Sequence, residues 1–141
     1  MATILICEDD IALAAYWRRL LEAESHTVYC SETAIKALEL VEVILPDLII
    51  TDMMIKKDGQ FVPEGGITLL SGLRNRIERP IPIVCVSGYR PSAYNPTPAL
   101  ECARAMGVDI ALYKPISPYK LINTVHGLLQ RNKLPKQHTG V

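Results

Sequence analysis

With 141 residues, 49% of them apolar, the chain has the size of one ordinary domain and enough apolar matter to bury a core. Fifteen Lys and Arg balance fifteen Asp and Glu, which argues against bulk attraction to nucleic acid or to an anionic membrane. No apolar stretch reaches the ~18 residues of a membrane helix, and the N-terminus turns acidic at Glu8 without the basic region of a signal peptide, so the expectation is a cytoplasmic protein.

The first element is a continuous apolar run over 3–7, which predicts a strand covered on both faces. From Asp10 to Glu24 the spacing turns helical, with Leu13, Trp17, Leu20 and Leu21 on one face and Asp10 able to cap the start. A weaker strand is expected over 26–30, then a helix over 31–44 with Ala34, Ala37, Leu38 and Val41 inward, then a third strand over 46–51. A long loop follows, in which Asp58-Gly59 reads as a turn. A helix over 66–77 with Ile67, Leu70, Leu73 and Ile77 inward leads to a strand over 82–87 and a proline-broken loop over 88–98. The remaining elements are a helix over 99–107 ending on Gly107, a strand over 109–113, and a helix over 117–131 with Pro118 in its first turn. Residues 1–131 then form one domain and 132–141 a frayed polar tail.

The four cysteines, Cys7, Cys30, Cys85 and Cys102, have no CxxC spacing and read as buried free thiols. His26, His126 and His138 lack metal-ligand spacing and read as surface or helix residues, while Trp17 and Tyr16 read as helix packing and its flank.

Five β units alternating with five α units predict a parallel sheet with helices on both faces. Ligands of such sheets sit at the carboxyl ends of the strands. Those ends carry Glu8-Asp9-Asp10, Asp52, Ser87-Gly88 and Tyr113-Lys114-Pro115. Taken singly, each has a plain explanation: a helix cap at Asp10, a strand-end acid, a surface lysine. Their joint placement at one edge makes the chemistry. Clustered carboxylates repel unless a cation sits among them. The donors are hard oxygens, which selects Mg²⁺ or Mn²⁺ over zinc or copper. A lysine and a hydroxyl beside the cation can hold an anion, of which a phosphoryl group is the natural one, and an Asp can itself accept it.

The segments "ILICEDD", "DLIITD", "IVCVSG" and "ALYKP" stand in order at suitable intervals. Together they resemble the strands of a bacterial two-component response-regulator receiver domain over about residues 3–130. The resemblance implies a flavodoxin-like doubly wound (βα)5 sandwich with strand order 2-1-3-4-5. It implies that Glu8 and Asp9 are the acidic pair holding Mg²⁺, that Asp52 is the phosphoacceptor and a metal ligand, and that the backbone carbonyl of Met54 is a further ligand. Ser87 then matches the hydroxyl that contacts the phosphoryl oxygens, Lys114 the lysine that pairs with them, and Lys114-Pro115 a cis peptide. The implied function is phosphorelay signalling. A sensor histidine kinase or a histidine phosphotransfer protein supplies the phosphoryl group, and the protein is not an enzyme beyond catalysing its own phosphoryl acceptance. With no output domain after residue 131, the signal leaves through a partner-binding surface, to a downstream protein or a second copy in a homodimer, without direct contact to nucleic acid or membrane.

The chain also departs from that pattern. Gly66, which matches the glycine opening the family's third helix, stands fourteen residues after Asp52, later than usual, and the stretch after Ser87 is long as well. Loops 55–65 and 90–98 therefore read as insertions rimming the site. The family's strand-five aromatic falls on Ala111, with Tyr113 two residues on, so the switch is expected to work through the inserted loops and the helix over 99–107. Met54 and Tyr89 match the family positions that flank the path of an attacking water, and neither can orient it, so the resemblance implies slow loss of the phosphoryl group. Two other readings carry weight. A haloacid-dehalogenase-type phosphatase wants a second Asp where Met54 stands, and Met54 cannot transfer protons. A receiver-like interaction module that never takes phosphate loses the acceptor or the lysine, and both are present here.

Overall fold

The computed structural model describes residues 1–53, 55–57, 60–62, 66–76, 80–88, 105 and 107–133. Among them the elements run β1 (Thr3–Cys7), α1 (Ile11–Glu22), β2 (Thr27–Ser31), α2 (Ala34–Ile44), β3 (Leu48–Asp52), β4 (Ile55–Lys57), β5 (Gln60–Val62), α3 (Gly66–Arg76), β6 (Ile83–Ser87), β7 (Ile110–Tyr113) and α4 (Pro118–Lys133). Outside the described residues lie Met54, Asp58-Gly59, Ile77, Tyr89, the loop over 90–98, Cys102, nearly all of the helix expected over 99–107, His138 and the tail beyond 133. Gly107, the expected cap of that helix, has a φ of +89°, which suits glycine.

Five strands pair in parallel in the order β2-β1-β3-β6-β7. Numbered along the chain, these strands have the expected 2-1-3-4-5 order of a flavodoxin-like fold. The two-residue period of the strands explains the layering. Ile4 and Ile6 of β1, Leu48 and Ile50 of β3, and Val84 and Val86 of β6 point to one face, where Trp17 and Leu21 of α1 and Leu121, Val125 and Leu128 of α4 cover them. Leu5 and Cys7 of β1 and Ile49 of β3 point to the other, against Ala34, Ala37, Leu38 and Val41 of α2 and Leu69 and Leu73 of α3. The inward face predicted for α2 is the buried one. At about 1.5–3 kcal/mol for each fully buried aliphatic side chain, this double burial outweighs the contribution of the helix caps.

Two aspartates pin the amino ends of the sheet. Asp47 donates its N–H to the Thr3 carbonyl at 2.7 Å, and its Oδ2 accepts the Thr3 N–H at 2.8 Å. Asp109 does the same for Ile83, at 3.0 and 2.8 Å. Each clamp fixes a register: Ile4 opposite Leu48 through Cys7 opposite Thr51, and Val84 opposite Ile110 through Ser87 opposite Tyr113. The caps are also as sequence dictates. Asp10 Oδ1 accepts from Leu13 N at 3.0 Å at the start of α1, and Ser117 Oγ from Lys120 N at 3.1 Å at the start of α4. The helix expected from residue 31 begins instead at Ala34, because Thr33 caps it and Ser31 closes β2.

Three expectations need correction. The stretch after Asp52 is not simply a loop: β4 and β5 form a separate antiparallel pair, Ile55 opposite Val62 and Lys57 opposite Gln60. Strands of three residues are too short for a hydrophobic period to show, although Asp-Gly between them is a hairpin signal. Cys30 is exposed rather than buried, because β2 is an edge strand without cover on both faces. Cys7 and Cys85 are buried free thiols as expected. His26 is not a plain surface residue: its Nδ1 accepts the Ala2 N–H at 3.2 Å, and its ring meets His126 edge-on at 5.4 Å between centroids.

Candidate functional site

Beyond the strand ends, single backbone hydrogen bonds extend the sheet by one residue and set the site. Glu8 N donates to the Ser31 carbonyl at 3.0 Å, Met53 N to Val86 at 2.9 Å, and Lys114 N to Ser87 at 2.7 Å. With Cys7 held opposite Thr51, Glu8 and Asp52 leave adjacent strands at the same level. Lys114 follows β7, which is separated from β3 by β6. Its long side chain therefore crosses the end of β6 to reach both acids.

The result is a compact charge cluster. Lys114 Nζ donates to Glu8 Oε2 and to Asp52 Oδ2, each at 2.8 Å. Glu8 and Asp52 are buried, Lys114 is half-buried, and Ser87 is fully buried at the end of β6. Glu8 Oε1 also accepts the Asp10 N–H at 3.2 Å. Glu8, Asp9 and Asp52 each offer a carboxylate oxygen within 4.8 Å of one another. Asp10 is taken up as the cap of α1, as expected. Lys114-Pro115 is cis. Met54 and Tyr89 lie outside the described residues.

The electrostatics follow from three carboxylates facing one ammonium. Burial first, then the charge of Asp52, pushes the Glu8 carboxyl from its ordinary 4.5 up to about 8, and the pull of Lys114 does not offset them. For Lys114, burial alone would favour the neutral amine, but the hydrogen bonds and charges of Asp52 and Glu8 reverse this and raise it. Beneath the acids, burial pushes the thiols of Cys7 and Cys85 up to about 12, so neither supplies a thiolate. The excess of negative charge and the all-oxygen donor set fit a hard divalent cation such as Mg²⁺ or Mn²⁺.

Two relationships escaped sequence reasoning. Trp17, read as helix packing, is buried as packing requires, yet its ring centroid lies 5.8 Å from Lys114 Nζ. Helical periodicity placed Trp17 inward, but nothing local says that this face reaches a residue almost a hundred positions away. Tyr113 lies directly opposite Ser87, and it packs with Ala111 on a cluster of Met53, Leu70 and Cys85. Strand β7 is thus regular, and the two residues share a face.

Among known proteins, the sequence model of the family described as the response regulator receiver domain matches residues 4–126. Transcriptional regulatory protein CpxR of Escherichia coli (strain K12) is 28% identical over 137 residues, which are 97% of this chain and 53% of CpxR. Sensor kinase CckA of Brucella abortus (strain 2308) is 30% identical over 136 residues, 92% of this chain and 13% of that protein. The chain therefore spans about half the length of the first and a small part of the second. In three dimensions, the CheY-like receiver domain protein from Methanospirillum hungatei JF-1 superposes with a TM-score of 0.76 at 24% identity, covering 94% of this chain and 97% of that one. The receiver domain of the Francisella response regulator 1452 gives 0.74 at 26% identity, covering 94% and 99%.

Proposed function

This chain belongs to the response regulator receiver domain family of two-component signalling, and from that premise we propose that it accepts a phosphoryl group on Asp52 and thereby switches a protein-binding surface. The observation that carries the reading is the buried Asp52 carboxylate held at 2.8 Å by Lys114 beside the acidic pair Glu8 and Asp9. A sensor histidine kinase or a histidine phosphotransfer protein is the donor. An Asp52 oxygen forms a bond to phosphorus, the nitrogen–phosphorus bond of the donor's phosphohistidine breaks, and its electron pair returns to the imidazole. Charge spreads over the three remaining phosphoryl oxygens. Lys114 neutralises part of it, and the Ser87 hydroxyl donates a hydrogen bond to one of these oxygens.

Glu8, Asp9 and Asp52 are the residues that would hold Mg²⁺ or Mn²⁺, joined by the Met54 carbonyl that the resemblance implies. When bound, the cation offsets the charge that gathers on carboxylate and phosphoryl oxygens. The receiver unit spans residues 1–131, followed by a polar segment over 132–141. The output is a downstream protein or a second copy of the chain. The family membership gives no support to a phosphatase of the haloacid-dehalogenase type. Among the described residues, no helix is long and apolar enough to cross a membrane, which is compatible with a cytoplasmic site of action.

The test is intact mass after incubation with a small acyl phosphate and Mg²⁺. Wild type gains one phosphoryl mass and Asp52→Asn gains none. Equal labelling of the two removes Asp52 as the acceptor.

A further inference from the structure

The ammonium of Lys114 has three N–H groups and two carboxylate partners, Glu8 Oε2 and Asp52 Oδ2, both at 2.8 Å. Among the described residues a further neighbour is not an acid but the Trp17 ring, whose centroid lies 5.8 Å from Nζ. That is within the ~6 Å over which an indole face attracts a cation. The two ends of this contact differ in freedom. Trp17 is 1% exposed and belongs to the buried cluster that also holds Ile4, Ile6, Leu21, Leu48 and Leu121, so packing restrains its ring. Lys114 is a flexible stem that starts on the edge strand β7 and stretches over the end of β6 to reach β3 and β1. Holding such a stem extended costs side-chain entropy, and a fixed aromatic face near its tip offsets part of that cost. A third carboxylate there would compete for the proton and for any cation. An indole face attracts the ammonium without doing either.

We propose that Trp17 is a positioning residue for Lys114: its ring fixes the ammonium over Asp52 and keeps it there as the acids of the cluster change their partners. The inference rests on the reading of Asp52 as phosphoacceptor and deepens it, since both carboxylate partners of Lys114 have other work in that reading while the ring does not. Trp17 acts on the reaction only through Lys114.

Trp17 is the only tryptophan of the chain, so emission excited beyond the tyrosine band comes from this ring. In Lys114→Met, which keeps the stem and removes the ammonium, the emission of Trp17 changes in intensity. In wild type the emission also changes when the acyl phosphate and Mg²⁺ are added, in step with the gain in mass. Among variants, Trp17→Phe retains an aromatic face and labels within about twofold of wild type, whereas Trp17→Leu labels about fivefold more slowly, the scale of a cation–aromatic contact that keeps part of its solvent. Equal labelling rates in Trp17→Phe and Trp17→Leu, or an emission indifferent to Lys114→Met, leave Trp17 a packing residue and overturn the proposal. Should Trp17→Leu not fold, the emission of Lys114→Met decides alone. If wild type takes no phosphoryl group at all while Lys114→Met alters the emission, the contact stands and the reading of Asp52 falls.

Discussion

Ser87 at the end of β6 stands opposite Tyr113 at the end of β7 in the parallel register. Ala111, where the resemblance placed an aromatic, pairs with Cys85 one layer down, and both β7 residues pack on Met53 and Leu70. An aromatic side chain is therefore present on the expected face, shifted toward the site by two residues. Movement of Ser87 toward a phosphoryl group reaches Tyr113 first, and α3 through Leu70. The expected outcome is chemical-shift change at Tyr113 and Leu70 on adding acyl phosphate and Mg²⁺, much reduced in Ser87→Ala. Changes confined to α1 and α2 would contradict this route.

The acidic cluster makes a prediction about metal. Glu8, Asp9 and Asp52 bring three oxygens within 4.8 Å against a single ammonium. Removing two of the three carboxylates takes away most of the oxygen donors that a divalent ion would bind. Glu8→Gln with Asp9→Asn should weaken Mg²⁺ binding by at least about tenfold, roughly 1.4 kcal/mol, as read by titration calorimetry. An unchanged affinity places the metal elsewhere on the chain.

The clamp at Asp47 is a stability prediction remote from the chemistry. Its Oδ2 accepts the Thr3 N–H at 2.8 Å in a partly buried setting. Asp47→Ala leaves that donor without its charged acceptor, at a cost of about 1–3 kcal/mol, seen as a lower urea midpoint with unchanged slope. Asp47→Asn keeps an acceptor oxygen and should lose less. Equal losses in the two variants would show that the charge and not the hydrogen bond matters.

The legible parts of this molecule are those whose signal is local and repeated. Leu48, Ile49 and Ile50 are a run buried on both faces and ended by Asp52, and the strand follows from the run alone. Asp10 before a helical period reads as a cap and is one. The illegible parts depend on neighbours. Cys30 looks as apolar as Cys7, but β2 lies at the sheet's edge and β1 inside it, a difference set by topology. The β4–β5 pair is too short to show a period, and Trp17 meets Lys114 only because α1 and β7 fold to the same corner. The cluster of Glu8, Asp52 and Lys114 was legible because the parallel sheet brings all strand ends to one edge. The bond from one ammonium to both acids was not, because it depends on how far a lysine stem reaches.

That shared ammonium gives a prediction about pH. Burial, then the charge of Asp52, raises the Glu8 carboxyl from 4.5 to about 8 in the folded protein. Between those values the native state holds a proton that the unfolded chain has released. Folding then takes up a proton, and each rise in pH opposes it. The contribution of Glu8 is most favourable below about 4.5 and is lost progressively as pH climbs to about 8, the reverse of an acid stabilised in its charged form. Measured in chelator, so that no divalent ion competes with the proton, the wild type should lose stability across this window. Glu8→Gln, neutral throughout, should show a flatter profile and exceed wild type at pH 8.5. Added Mg²⁺ should stabilise wild type more at pH 8 than at pH 6, because at the lower pH the cation must displace the Glu8 proton. Urea midpoints that fall equally with pH in both proteins would show that Glu8 is ionised in the native state and that Lys114 alone is enough to keep it so.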